Sequence, residues 1–138
     1  MKKTIMLFAG TTEGRRICEF LTVKKCITHV YVTTEYGKEL LPEQNNVHIH
    51  VGKMDGKQMS DEIKAIHPDI VIDATHPYAT QATHNIKEAC DSRHIFYVRV
   101  LREENTEKAG NNADNIIYTE TMKDVVRLLN DDRFIHKN

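Results

Sequence analysis

The stretch TIMLFAGTTEGRRICEFL, residues 4–21, decides the fold because its hydrophobic period changes at one point. Thr4 to Ala9 is a short apolar run that ends at the turn residue Gly10, as a buried strand does. The apolar positions that follow share one helical face: Ile17, Phe20 and Leu21. The stretch therefore predicts a strand, a turn and a helix, the unit from which parallel sheets are built.

The same alternation continues through the rest of the chain. Further strand patterns lie at residues 30–34, 47–51, 70–74, 95–100 and 116–118. Helical patterns lie at residues 55–66, from Pro77 to Cys90 and around residues 122–129, whereas residues 102–115 are typical of a loop. Because the strands are almost continuously apolar, we expect helices on both faces of a parallel sheet. The prediction is an α/β fold, a Rossmann-like doubly wound parallel sheet, in a single domain over residues 1–138.

The composition fits a globular protein with a small-molecule partner. Of the 138 residues, 40 % are hydrophobic and 28 % are charged. Lys and Arg number 19 against 20 Asp and Glu, so no basic surface for nucleic acid or anionic membrane is visible. The apolar runs are far shorter than the roughly 18 residues of a membrane span. Three cysteines, Cys18, Cys26 and Cys90, form no C-x-x-C pair, which favours a reducing cytoplasmic location.

The turn after the first strand is the first candidate binding site. In a doubly wound sheet of order 3-2-1-4-5, ligands bind beyond the carboxyl ends of the first and fourth strands. The segment Ala9–Arg15 offers glycines for close backbone approach, threonine hydroxyls and a helix N-terminus that attracts phosphate. It is not the G-x-G-x-x-G pattern, so a simple connection with a capping threonine is the alternative. Glu13 would repel a pyrophosphate, but it suits the helix dipole.

The segment DATHPYA, residues 73–79, follows the fourth strand and reaches the same crevice. His76 can act near neutral pH as an acid, a base or a hydrogen-bond donor, and Tyr78 can stack on a ring or bond to it. The alternative is structural: Thr75 caps the following helix, His76 is hydrated and Asp73 anchors the loop. These residues alone leave both interpretations open.

Two further segments bear on the ligand. After the second strand, Glu35 suits the ribose of NAD, whereas the hydroxyls of Thr33–Thr34 and the cation Lys38 suit the 2′-phosphate of NADP, so the segment does not decide. His48 and His50 share a strand face, but no carboxylate or thiolate joins them at a matching spacing. We therefore expect solvent-facing histidines and no metal site.

At these motifs the chain resembles the precorrin-6A reductase family of cobalamin biosynthesis, which includes the cobalt-precorrin-6A reductases. The matching segments are Ala9–Arg15, Tyr36–Gly37, Val51–Met54, Asp73–Ala79 and Arg99–Arg102. Among them DATHPYA is the most diagnostic. The resemblance implies a Rossmann-like fold that binds NADPH and delivers hydride to a double bond of a corrin-precursor macrocycle, a tetrapyrrole.

The resemblance also implies which positions bind the cofactor. Its phosphates and adenosine would meet one group of residues: Gly10, Thr11, Thr12, Gly14, Thr33, Thr34 and Tyr36. Gly52 and Lys53 would line the cofactor path, and Thr75 would lie beside the nicotinamide.

At the substrate end, the resemblance makes His76 and Tyr78 the catalytic and substrate-binding residues. Arg102 would pair with a carboxylate of the macrocycle, although Glu103 stands where the family usually has proline. Most family members are longer and have a second αβ domain that completes the substrate cleft. The chain would then need a second domain or self-association to enclose its substrate.

Two other interpretations of the residues stay open at this point. One is a non-catalytic nucleotide-binding module that meets a partner chain. The other is a flavodoxin-like FMN carrier, in which the Thr-rich turn holds a single phosphate and Tyr36 or Tyr78 flanks the flavin.

Overall fold

Six parallel strands and four helices make up the described part of the computed structural model, which covers residues 3–100, the strand at 116–119 and residue 127. The strands are β1 Lys3–Phe8, β2 Cys26–Val32, β3 Val47–Val51, β4 Ile70–Asp73, β5 Phe96–Val100 and β6 Ile116–Thr119. The helices are α1 Thr12–Leu21, α2 Glu35–Glu39, α3 Gly56–Ile66 and α4 Thr80–Ser92. The strands form one sheet in the order β3-β2-β1-β4-β5-β6. This order confirms the predicted Rossmann-like fold and places the switch point between β1 and β4.

Apolar layers cover both faces of the sheet, which explains why its strands are almost continuously apolar. The β1 segment Ile5–Phe8 is buried throughout, although alternate side chains of a strand point to opposite faces. On one face α1 packs its buried stripe, which consists of Ile17, Cys18 and Leu21. On the other face α3 and α4 pack buried residues that include Met59, Ile63, Ile86 and Ala89.

Strand β2 corrects the prediction for residues 30–34, because it begins at Cys26 and ends at Val32. Thr28 is polar yet fully buried, and its backbone N–H donates to the carbonyl of Asn46 at 2.8 Å. This polar interruption hid the first half of the strand from the hydrophobic pattern. The strand ends early because Thr34 is the N-cap of α2, where its hydroxyl accepts from the Gly37 N–H at 3.0 Å.

The helices begin where their caps allow. Helix α3 starts with a capping box, in which Asp55 and Gln58 each bond the other's backbone N–H. Helix α4 begins at Thr80 rather than at the predicted Pro77, and its N-cap Ala79 has no side-chain bond.

Strand β6 lies where the sequence predicted one. The predicted loop at 102–115 lies outside the described residues, as does the predicted last helix apart from residue 127, which is helical.

The three cysteines are buried, free thiols. Burial raises the pKa of both Cys18 and Cys90 to about 12, so their thiols stay protonated and unreactive near neutral pH. Across the described ranges, no helix combines the length and the apolar character needed to cross a membrane.

Candidate functional site

The loop after β1 is fixed to the loop after β4 by one threonine. Thr11 is the N-cap of α1, and its hydroxyl accepts from the Gly14 N–H at 3.1 Å. The same hydroxyl donates to the carbonyl of Ala74 at 2.7 Å. The capping role of Thr11 is therefore confirmed, and the same hydroxyl joins the two motifs.

Gly14 brings α1 close to the sheet rather than lining the crevice. A Cβ at this position would stand 2.9 Å from the Cβ of Ala9 and 3.4 Å from the Cβ of Ala74. Only glycine allows this approach, as the third glycine does in dinucleotide-binding turns. Gly10 differs, since its φ of +147° disfavours other residues and open space lies where a Cβ would point.

The loop after β4 is anchored by Asp73, whose carboxylate is fully buried. It accepts from the hydroxyls of Thr75 at 2.7 Å, Thr83 at 2.8 Å and Tyr97 at 2.7 Å. Arg99 lies 3.3 Å from this carboxylate, and it also donates to the Thr75 carbonyl at 3.0 Å. These bonds confirm that Asp73 anchors the loop after β4. The alternative role of Thr75 as helix cap is wrong, because its hydroxyl is bonded to Asp73 and α4 begins five residues later.

His76 and Tyr78 lie exposed at the rim of this loop. The Tyr78 N–H donates to His76 Nδ1 at 3.1 Å, and the two ring centroids are 5.0 Å apart. Because Nδ1 accepts this bond, the neutral imidazole carries its proton on Nε2. The Tyr78 side chain is 87 % exposed, so its ring is available as a contact surface.

A crevice of about 600 Å³ lies where the loops after β1, β2 and β4 meet. It is lined by nine of the residues that the sequence selected: Gly10, Thr11, Thr12, Thr33, Thr34, Tyr36, Thr75, His76 and Tyr78. Gly52 and Lys53 are exposed beside β3, outside this lining, and Arg102 lies outside the described residues. Other residues that line the crevice had no predicted ligand role, among them Arg15, Leu40 and Leu41.

The predicted solvent-facing histidines are in part engaged with a third histidine that the sequence analysis did not consider. His29 Nδ1 and His50 Nε2 are 3.0 Å apart, and the His29 ring also stacks on His48. Burial, followed by His50 and His48, lowers the pKa of His29 below its ordinary value. The late predicted start of β2 left His29 out of that strand. In the part of the chain that the structure describes, no three His, Cys, Asp or Glu side chains come together to hold a metal ion.

Residues 4–136 match the family described as precorrin-6x reductase CbiJ/CobK. The chain belongs to this family. Cobalt-precorrin-6A reductase of Methanocaldococcus jannaschii is 35 % identical over 125 residues, which are 90 % of this chain and 48 % of that relative. Cobalt-precorrin-6A reductase of Methanothermobacter thermautotrophicus is 33 % identical over 104 residues, or 75 % of this chain and 34 % of the relative. The chain thus spans half the length of these reductases or less.

Solved structures show the same fold. CobK precorrin-6A reductase has a TM-score of 0.62 at 23 % identity, covering 74 % of this chain and 39 % of that chain. The Bordetella bronchiseptica enzyme WbmG, solved in complex with NAD and UDP, has a TM-score of 0.64 at 13 % identity, covering 80 % of this chain and 41 % of that one. At such low identity these likenesses support the Rossmann-like fold, and the sequence match supports the precorrin reductase family.

Proposed function

We propose that this chain is the NADPH-binding part of a reductase that acts on a corrin-precursor macrocycle. The observation that carries the proposal is the junction of the two diagnostic motifs. Thr11 of the first motif bonds the carbonyl of Ala74 in the second at 2.7 Å, and the crevice opens beside this contact. The junction lies at the switch point of the sheet, where Rossmann-like folds hold dinucleotides.

The residues of the crevice fit such a ligand. The N-terminus of α1 faces it and favours phosphate through the helix dipole. The hydroxyls of Thr12 and Thr33 bond no other described residue, so they are available as donors. The open space at Gly10 allows a phosphate to approach the backbone. The crevice volume also falls within the roughly 300–1,000 Å³ of ordinary ligand sites.

The proposed assignment follows the three loops. Gly10, Thr11 and Thr12 hold the phosphates, the loop at residues 33–36 holds the adenosine, and Thr75 lies beside the nicotinamide. Gly14 acts through the close packing of α1 and not through contact. Gly52 and Lys53 are left out because they do not line the crevice.

The chemistry of reduction divides between cofactor and protein. NADPH, when bound, supplies a hydride to one carbon of a macrocycle double bond, and a proton must reach the other carbon. His76 presents its Nε2 at the rim, and its imidazolium form, with Nδ1 released from the Tyr78 N–H, is the proposed proton donor. Tyr78 offers its exposed ring as a stacking surface for the flat, conjugated substrate.

The experiment is a titration of the purified chain with NADPH, NADH and FMN, followed by fluorescence. We expect saturable binding of NADPH and a colourless preparation. A yellow protein that binds FMN but not NADPH would support the flavodoxin-like carrier and refute the proposal. A second measurement joins the chain to the remaining half of a relative and compares the turnover of wild type and His76→Ala. If the chain binds NADPH and the His76→Ala variant turns over at the wild-type rate, the loop after β4 has a non-catalytic role.

A further inference from the structure

The choice between NADPH and NADH requires a cation that the predicted site does not supply. The two cofactors differ by one phosphate on the adenosine ribose, and Rossmann-like folds commonly bind that phosphate through arginine. The sequence suggested Lys38, but this residue lies exposed on α2 and does not line the crevice. Among the described residues, Arg15 is the only Lys or Arg that lines it.

The position of Arg15 on α1 decides which side of the crevice it faces. Successive helical residues turn by about 100°, so Glu13 and Arg15 lie on opposite flanks of the stripe that packs on the sheet. That stripe contains Gly14, Ile17 and Leu21. In a right-handed β1-α1-β2 connection, the flank with Arg15 faces β2 and the flank with Glu13 faces β4. Arg15 therefore lies on the adenosine side, and the repelling carboxylate lies on the other side.

The guanidinium of Arg15 is also available for a ligand. Arg15 is half-buried, and its guanidinium forms no ion pair or hydrogen bond with another described residue. Its backbone is fixed, since the Arg15 N–H donates to the Thr11 carbonyl at 3.1 Å. The unengaged hydroxyl of Thr33 lines the same crevice. An arginine and an unengaged hydroxyl that line one crevice can bind a phosphate dianion with several charge-assisted hydrogen bonds.

We propose that Arg15 binds the 2′-phosphate of NADPH and makes the crevice select NADPH over NADH. This inference rests on the proposed function, because it requires a nicotinamide dinucleotide in the crevice. The alternative is that the Arg15 guanidinium binds the pyrophosphate of the cofactor instead of the 2′-phosphate. That contact would give no selectivity, since both cofactors contain the pyrophosphate.

The test measures dissociation constants for NADPH and NADH with the wild-type chain, Arg15→Met and Arg16→Met. Arg16 is the matched control because it is the next arginine on α1, is exposed and does not line the crevice. We expect Arg15→Met to weaken NADPH binding by roughly 10- to 100-fold and to leave NADH binding unchanged. Arg16→Met should change neither constant, and Arg15→Lys should recover part of the NADPH affinity.

Competition with 2′-AMP and 5′-AMP gives a second measurement that needs no nicotinamide. The wild type should bind 2′-AMP more tightly, and Arg15→Met should lose this difference. Equal weakening of NADPH and NADH by Arg15→Met would assign Arg15 to the pyrophosphate and overturn the inference, as would an Arg15→Met variant that still prefers NADPH. A folded wild-type chain that binds neither dinucleotide would instead refute the proposed function itself.

Discussion

In the first turn of α1, different residues serve packing and ligand binding. Gly14 holds α1 near the sheet, because a Cβ there would stand 3.0 Å from the Cα of Ala9. Thr12, two residues earlier, lines the crevice with a hydroxyl that bonds no other described residue. We therefore expect substitutions at these two positions to act on different quantities, the first on stability and the second on affinity.

Gly14→Ala should lower the free energy of unfolding by about 1–3 kcal/mol, the usual cost of overpacking a tight contact. The measurement is urea denaturation followed by circular dichroism. Gly56→Ala is the matched control, because a Cβ at Gly56 would meet only the side chain of Asn85, at 3.4 Å or more. Its effect should stay within about 1 kcal/mol. A Gly14→Ala variant as stable as Gly56→Ala would show that α1 can move away from the sheet at no cost.

Thr12→Val should weaken NADPH binding by about 10- to 100-fold, the value of one hydrogen bond to a charged phosphate. Its thermal unfolding midpoint should not change, because the hydroxyl has no structural partner among the described residues. The control is Thr80→Val, at the first position of α4 and outside the crevice. If Thr12→Val and Thr80→Val bind NADPH equally well, Thr12 is not part of the site.

At the residue scale, the sequence predicted the lining of the crevice better than it predicted what holds the lining in place. Thr12, His76 and Tyr78 were identified because hydroxyls, imidazole and phenol carry recognisable chemistry. Arg99 was not assigned its role, since its contacts with the loop come from a strand 26 residues away. Such long-range contacts have no local pattern in the sequence.

At the scale of elements, the buried pair Asp73 and Arg99 joins β4, β5 and the loop that presents His76. Both side chains are nearly inaccessible to water, and the pair is 3.3 Å apart. Removing one partner would leave an uncompensated buried charge, which costs far more than losing a surface ion pair. The network therefore holds the loop at the carboxyl end of the sheet.

Arg99→Met should destabilise the protein by about 3–5 kcal/mol, as measured by urea denaturation. The double variant Asp73→Asn with Arg99→Met should lose less than the sum of the two single variants, because the second change removes the charge left unpaired by the first. Arg93→Met is the control, since the guanidinium of Arg93 donates one bond, at 3.1 Å, to the hydroxyl of Ser60. Additive losses at Asp73 and Arg99 would contradict the coupling.

The contact of His29 on β2 with His50 on β3 should make the stability of the fold depend on pH. The pKa of His29 is lowered in the fold, so the unfolded chain binds its proton more readily. Stability is then fully present above the ordinary value of about 6.5 and falls as pH drops below it. The thermal midpoint should decline between pH 7.5 and pH 5.5, and His29→Gln should decline less than the control His94→Asn. Equal declines would show that His29 does not contribute.

The element scale also shows what hydrophobic patterns can and cannot place. Strand β1 was predicted within a residue of its bounds, because both its faces are apolar. The start of β2 was predicted too late, because the buried Thr28 interrupts the apolar pattern. The backbone N–H of Thr28 bonds the carbonyl of Asn46, which is distant in the sequence, so no local pattern indicates this bond. The start of α4 was misplaced because Pro77 can open a helix, whereas here it lies in a turn.

At the scale of the whole molecule, the crevice is large enough for a cofactor but not for a macrocycle as well. Its volume is about 600 Å³, and three strand-end loops already line it. Tyr36 and Tyr78 are 70 % and 87 % exposed at its border. Exposed aromatic rings beside a binding crevice are typical of a surface that meets another molecule.

The chain alone should bind NADPH but reduce the corrin precursor very slowly. Its curated relatives have at least as much chain again beyond the matched part, and substrate sites often lie between domains. Positioning of donor and acceptor supplies roughly 7–11 kcal/mol of a barrier, and one wall cannot supply all of it. The measurement is NADPH oxidation with cobalt-precorrin-6A by the 138-residue chain, with and without the remaining half of the M. jannaschii relative added separately. The intact relative is the positive control. Turnover by the chain alone at the rate of that control would mean that this fold, or a dimer of it, builds the complete site.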